Sequence, residues 1–72
     1  MELKILRIKA RMSQAEAAEA VGVNQATVCY WERGEFKPKP VFVAKLAELY
    51  GVSEAKILKA VDEAVKEAKL NG

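Results

Sequence analysis

The sequence predicts an all-α protein of five helices, in which the last helix is longer than the other four. Two observations lead to this prediction. Apolar residues recur three and four positions apart along most of the chain, and glycines follow the segments in which that pattern stops. In addition, 51% of the 72 residues are hydrophobic, which is enough for a small helical core and too many for a disordered chain. We expect a single domain over residues 1–72.

The first helix is expected over about residues 2–11. Leu3 and Leu6 share one face of it, which we predict to be the core side. Ile5 and Ile8 turn away from that face. They therefore need cover from elsewhere in the chain or from a partner.

Two helices joined by a tight turn are expected next. Ser13 can cap the first of them, and Glu16 three residues later completes a capping box. Gly22 follows this helix, at a position that favours a residue tolerating positive φ. Asn24 can cap the second helix, and Gly34 can end it.

The second of these helices has two faces of different character. Val28 and Trp31 share an inward stripe, so we expect Trp31 in the core. The opposite face carries an amide, a phenol and a guanidinium, which can hydrogen-bond to base edges or phosphates. Its members are Gln25, Ala26, Cys29, Tyr30 and Arg33.

This segment resembles the helix-turn-helix of the lambda-repressor/Cro-like (XRE-type) DNA-binding domains. The resemblance rests on Ser13-Gln14, Ala18, Gly22-Val23, Val28 and Trp31-Glu32-Arg33-Gly34. It extends from about Leu3 to Leu58 and places the helix-turn-helix motif at about residues 14–33. It implies a five-helix fold whose third helix enters the major groove of DNA.

Residue chemistry and the resemblance together suggest roles at a DNA interface. Gln25 is the strongest candidate for contacting a base, because glutamine can make paired hydrogen bonds to adenine. The further candidates for base contacts are Ala26, Cys29, Tyr30 and Arg33. Contacts to the DNA backbone are expected from Gln14, Asn24, Thr27, Lys37 and Lys39. The alternative for each is an ordinary exposed side chain, and for Cys29 the absence of a basic neighbour disfavours a redox role.

The resemblance also implies an ion pair between Arg7 and Glu32. Such a pair would tie the first helix to the third. The alternative is that both residues are separate, solvated charges.

A loop from Glu35 to Lys39 is expected after the motif, followed by a fourth helix. Pro40 suits the first turn of that helix, although the family usually has serine or threonine near this cap. Gly51 is expected to end it. Ser53 can then cap the last helix, which we predict over about residues 54–70.

The last helix carries a continuous apolar stripe flanked by balanced charges. Its spacing is compatible with a homodimer contact through Val61, Val65 and Ala68. The alternative is that the stripe packs back on the first helix and covers Ile5 or Ile8.

Composition argues against several functional classes. The sequence has no histidine, no glycine-rich phosphate loop and a single cysteine, so we expect no enzyme, no metal, no cofactor and no small-molecule ligand. Neither a membrane span nor a signal peptide is expected, and a cytoplasmic location is the default. The net charge of +2 is modest, but the excess lies in the part that resembles a DNA-binding domain.

The sequence is therefore interpreted as a sequence-specific binder of double-stranded DNA, a transcriptional regulator of repressor type. One alternative is a protein-interaction module on the same fold, which the dependence of binding on salt and DNA sequence would distinguish. A second is the antitoxin of a toxin–antitoxin pair, which co-purification of a toxin would reveal.

Overall fold

The computed structural model describes residues 2–71, and these residues form helices and turns without a strand. The helices are α1 Glu2–Lys9, α2 Gln14–Val21, α3 Gln25–Arg33, α4 Pro40–Tyr50 and α5 Glu54–Asn71. The prediction of an all-α, five-helix fold with an extended last helix is confirmed.

The end of α1 is the main difference from the expected helix boundaries. We predicted helix to about Arg11, whereas α1 ends at Lys9 and Arg11 has a φ of 60°. α1 ends in a Schellman motif, in which Arg11 is left-handed and its N–H donates to the carbonyl of Ile8 at 2.9 Å. The Arg7 side chain also bonds to this turn, because its Nη1 donates to the carbonyl of Met12 at 2.8 Å. The backbone N–H of Met12 in turn donates to the carbonyl of Arg7 at 3.3 Å. The chain therefore leaves the helix through a hydrogen-bonded backbone turn, to which the Arg7 side chain adds one bond.

The caps of α2 and α3 are those that the sequence predicted. The Ser13 hydroxyl accepts from the N–H of Glu16 at 3.0 Å, and the Ser13 N–H donates to Glu16 Oε1 at 2.9 Å. The hydrogen bond from the Ser13 backbone N–H to the carboxylate, and after it the interaction of the Ser13 side chain with that carboxylate, lowers the pKa of Glu16. Asn24 caps α3, and Gly22 makes the turn between the helices with a φ of 88°. The caps on the two sides of the short turn define how α3 follows α2.

The core lies between all five helices. α5 packs against α1, α3 and α4, while α2 packs against α3 and α4. Trp31 is buried as predicted, and its ring centroid lies 5.6 Å from that of Phe42. The largest fully buried side chains are Leu3, Val21, Val28, Leu46 and Ile57.

The apolar stripe of α5 packs within the chain. Val61 is 3% exposed and belongs to the core, so our prediction that it forms a homodimer contact is wrong. Val65 and Ala68 are half-buried. The stripe does not cover the outer face of α1, because Ile5 and Ile8 remain 40% and 54% exposed. The amphipathic pattern identified the apolar face correctly, and the alternative that this face packs on the first helix is confirmed, since α5 lies against α1 as well as α3 and α4.

Gly34 brings the end of α3 against α5. Its φ is 78°, and a Cβ at this position would overlap the carbonyl of Ala64 and lie 2.8 Å from the N atom of Val65. Only glycine satisfies both the backbone angle and this close approach. α5 therefore supports the end of α3 and the loop that follows it.

Candidate nucleic-acid interface

The outward face of α3 gathers the residues predicted to contact bases. The opposite side of the helix is held in the core by Val28, Trp31 and Glu32. Gln25, Ala26 and Arg33 are exposed, Tyr30 is 39% exposed and Cys29 is half-buried. The helix thus presents one mostly exposed face, which carries an amide, a phenol and a guanidinium.

Asn24 and Thr27 interact with each other at the start of α3. Asn24 Oδ1 accepts from the N–H of Thr27 at 2.9 Å and from its hydroxyl at 2.8 Å. The hydroxyl proton of Thr27 is therefore used inside the protein and is not free for a phosphate. Asn24 keeps its side-chain NH₂ group on the exposed surface and is the better donor of the two.

Arg7 and Glu32 form a buried ion pair between α1 and α3. Arg7 Nε lies 2.6 Å from Glu32 Oε2, and Arg7 Nη2 donates to Glu32 Oε1 at 3.4 Å. The two residues are only 8% and 7% exposed. Because Glu32 neutralises Arg7 in the interior, this arginine adds nothing to the cationic surface of the protein.

Gln14 is joined to the same carboxylate. Its Nε2 donates to Glu32 Oε1 at 3.0 Å, and the residue is half-buried at the first position of α2. The amide has a second N–H that this bond does not use. Gln14 is therefore held in one orientation with one donor still available.

Tyr50 reaches the interior close to these charges. Its hydroxyl is buried and has no hydrogen-bond partner among the residues that the structure describes. Burial, followed by the negative charge of Glu32, raises the pKa of Tyr50 to about 12, and the positive charge of Arg7 opposes this rise.

The cations of the loop after α3 are exposed. Lys37 Nζ lies 3.9 Å from Asp62 Oδ1, and Arg33 Nη2 lies 3.4 Å from Glu35 Oε1. Both pairs are open to solvent, and exposed pairs of this kind contribute only about 0–1 kcal/mol. Such weak pairs leave Lys37, Lys39 and Arg33 able to bind phosphates.

Sequence reasoning missed Phe36, which lies beside the predicted base-contacting residues. It is 60% exposed, and its ring centroid lies 5.3 Å from that of Tyr30 in an edge-to-face arrangement. The available signal was a large aromatic residue in a charged loop, between Glu35 and Lys37, where no apolar periodicity requires one.

Metal sites and membrane spans are absent from the described part of the chain. No cluster of three or more histidine, cysteine, aspartate or glutamate side chains in that part could hold a metal ion. None of the helices there combines the length and apolar character needed to cross a membrane.

Comparison with known proteins defines the class. The helix-turn-helix domain family matches residues 1–59. The chain therefore belongs to the helix-turn-helix domain family, in agreement with the arrangement of α2 and α3.

A particular relative is the cryptic phage CTXphi transcriptional repressor RstR of Vibrio cholerae. This chain is 35% identical to it over 57 residues, which are 79% of this chain and 51% of that repressor. The chain thus spans about half the length of this relative. No solved structure matches the chain significantly.

Proposed function

We propose that this protein binds double-stranded DNA in a sequence-specific manner, as a transcriptional regulator of repressor type. The observation that carries the proposal is the outward face of α3, which is mostly exposed, carries hydrogen-bonding side chains and is fixed from behind by buried residues. A helix presented in this way fits the major groove. Membership of the helix-turn-helix family and the similarity to a transcriptional repressor support it.

In this proposal, Gln25 makes the main contact to a base. It is exposed at the start of α3, and the N-terminal residues of a recognition helix are those that reach base edges. A glutamine amide can pair with adenine N6 and N7. Ala26, Tyr30 and Arg33 extend the contact along the same face, and the half-buried Cys29 lies at its margin.

The DNA backbone is bound on both sides of α3. Asn24 offers its exposed NH₂ group, and Gln14 offers the amide N–H that Glu32 does not use. Lys37 and Lys39 supply positive charge from the loop. Thr27 acts indirectly, because its N–H and its hydroxyl donate to Asn24 Oδ1 and so orient the asparagine. These contacts position the protein and need neither a cofactor nor a metal.

Self-association through α5 is a separate part of the proposal. A homodimer would place two recognition helices on two half-sites, one helical turn of DNA apart. Because Val61 is in the core, Val65 and Ala68 are the contact residues of this homodimer. Sedimentation of the unmutated chain against Val65→Glu tests it, and a monomer at all concentrations would exclude it.

The test of DNA binding separates specificity from affinity for the backbone. A preferred site is first selected from random duplexes, and the protein is then titrated with that site and with a scrambled duplex. Gln25→Ala should lower affinity for the preferred site by about 1–3 kcal/mol and leave binding to the scrambled duplex nearly unchanged.

The joint change of Lys37 and Lys39 to alanine is the matched control. It should weaken binding to both duplexes alike, because lysine contacts to phosphates carry no sequence information. It should also flatten the dependence of log affinity on log salt by about 0.9 for each phosphate that the variant no longer neutralises. An unmutated protein with no preference between the duplexes at low salt would contradict the proposed function.

A further inference from the structure

Tyr30 and Phe36 form an exposed pair of aromatic rings at the end of α3, which we name the aromatic pair. The ring planes are at 89° and the centroids are 5.3 Å apart. Phe36 is 60% exposed and Tyr30 is 39% exposed. The pair therefore leaves apolar surface open to solvent in a small, otherwise charged loop.

The aromatic pair continues the outward face of α3 past the end of the helix. Tyr30 belongs to that face, and Phe36 follows two residues after the glycine that ends the helix. The close approach of Gly34 to the backbone of Ala64 fixes the start of this loop against α5. Arg33 and Lys37 are close to these residues in the sequence and are both exposed, each in a weak, solvent-open ion pair with a carboxylate. A surface that joins α3 and carries exposed cations in only weak ion pairs suits the groove of a duplex.

We propose that Phe36 is a further specificity-determining residue, whose ring contacts the C5-methyl group of a thymine in the major groove. This inference rests on the proposed DNA-binding function. The thymine methyl is the apolar group that base edges present in the major groove, and phenylalanine is among the side chains that contact it. Edge-on packing against Tyr30 orients the ring before binding, which reduces the ordering cost at the interface.

The expected change in affinity for DNA follows from the removal of one thymine methyl group from water. Burial of a group of this size changes an equilibrium constant about fourfold. Deoxyuridine lacks only this methyl group and pairs as thymidine does. Its substitution for single thymines in the selected site therefore isolates the proposed interaction.

The experiment titrates three proteins with the selected duplex and with its single deoxyuridine variants. They are the unmutated chain, Phe36→Ala and the matched control Leu58→Ala, which removes another apolar side chain, 51% exposed, from α5. At one thymine position, deoxyuridine should lower the affinity of the unmutated chain and of Leu58→Ala about fourfold. Phe36→Ala should bind the two duplexes equally at that position. Thermal melting should show that both variants are folded, since both side chains are exposed.

If the unmutated chain does prefer its selected duplex, each of three results would overturn the inference about Phe36 without overturning the proposed function. One is a set of deoxyuridine effects that is the same in Phe36→Ala as in the unmutated chain. The second is a uniform decrease in the affinity of Phe36→Ala for all duplexes, which would show that Phe36 acts only through Tyr30 or the loop. The third is a preferred site without thymine. Absence of any duplex preference in the unmutated chain would instead overturn the proposed function, and this inference with it.

Discussion

Glu32 is the residue at which the interior polar contacts of this protein meet. It accepts hydrogen bonds from Arg7 on α1 and from Gln14 on α2, and it is itself on α3. One buried carboxylate thus joins three helices. Breaking such a pair leaves an uncompensated buried charge, whereas replacing both partners by apolar residues is often nearly neutral.

We therefore expect strong coupling between Arg7 and Glu32. Either Arg7→Met or Glu32→Met alone should lower the free energy of unfolding by about 3–5 kcal/mol. The double substitution should cost much less than the sum of the two. Urea denaturation of the four proteins measures this coupling, and additive costs would show that the pair does not act as a unit.

Tyr50 is expected to lower stability through its hydroxyl. The buried group has no hydrogen-bond partner among the described residues, so Tyr50→Phe should leave stability at pH 7 unchanged or raise it by about 1 kcal/mol. A decrease of more than about 1 kcal/mol in urea denaturation would indicate that the hydroxyl does make a stabilising bond.

The raised pKa of Tyr50 also predicts a pH dependence. The folded protein holds the proton of the Tyr50 hydroxyl more tightly than the unfolded chain does. The free energy of unfolding that comes from this difference is therefore fully present below about pH 10, the ordinary tyrosine pKa. This part of the stability is lost as the pH rises towards the folded-state pKa of Tyr50, about 12. The unfolding free energy of Tyr50→Phe, measured over this pH window, should fall less than that of the unmutated chain. An equal fall in both proteins would contradict the assignment.

At the scale of elements, the end of α3 depends on its glycine more than the end of α2 does. Gly22 and Gly34 both have positive φ, but a Cβ at Gly22 would meet open space while one at Gly34 would overlap the backbone of α5. Gly22→Ala should cost about 1–2 kcal/mol for its backbone angle alone. Gly34→Ala should cost clearly more, because α5 must also move. Equal costs in denaturant unfolding would contradict the close approach.

The helix ends show what could be predicted from sequence and what could not. The boundaries of α2, α3 and α4 follow from local chemistry, such as the Ser13 cap and Gly34, and these were predicted. The end of α1 places the non-glycine residue Arg11 in the left-handed region, which the sequence pattern did not indicate. The burial of Val61 depends on how α5 lies on the other helices.

The same division applies to the site. The outward face of α3 follows from helical periodicity, so its residues were predicted as a group. The bond from Gln14 to Glu32, the internal use of the Thr27 hydroxyl and the pairing of Tyr30 with Phe36 are tertiary or side-chain contacts. Such contacts depend on rotamers and on chain reversal, and they appear only in the folded structure.

Considered as a whole molecule, the chain offers DNA little net charge. Its formal charge is +2, and Arg7 is neutralised in the core. The exposed cations of α3 and the loop after it are only Arg33, Lys37 and Lys39. We therefore expect a shallow salt dependence and a preference for one sequence that comes mainly from α3 and the loop after it.

The most direct test of DNA binding through α3 is a map of backbone amide shifts of the ¹⁵N-labelled protein on titration with its preferred duplex. We expect the largest changes on the outward face of α3 and at Phe36, Lys37 and Lys39. The exposed outer sides of α1 and α5, marked by Ile8 and Leu58, should change little. Changes concentrated on those outer sides, with α3 unaffected, would contradict the claim that α3 is the surface that contacts DNA.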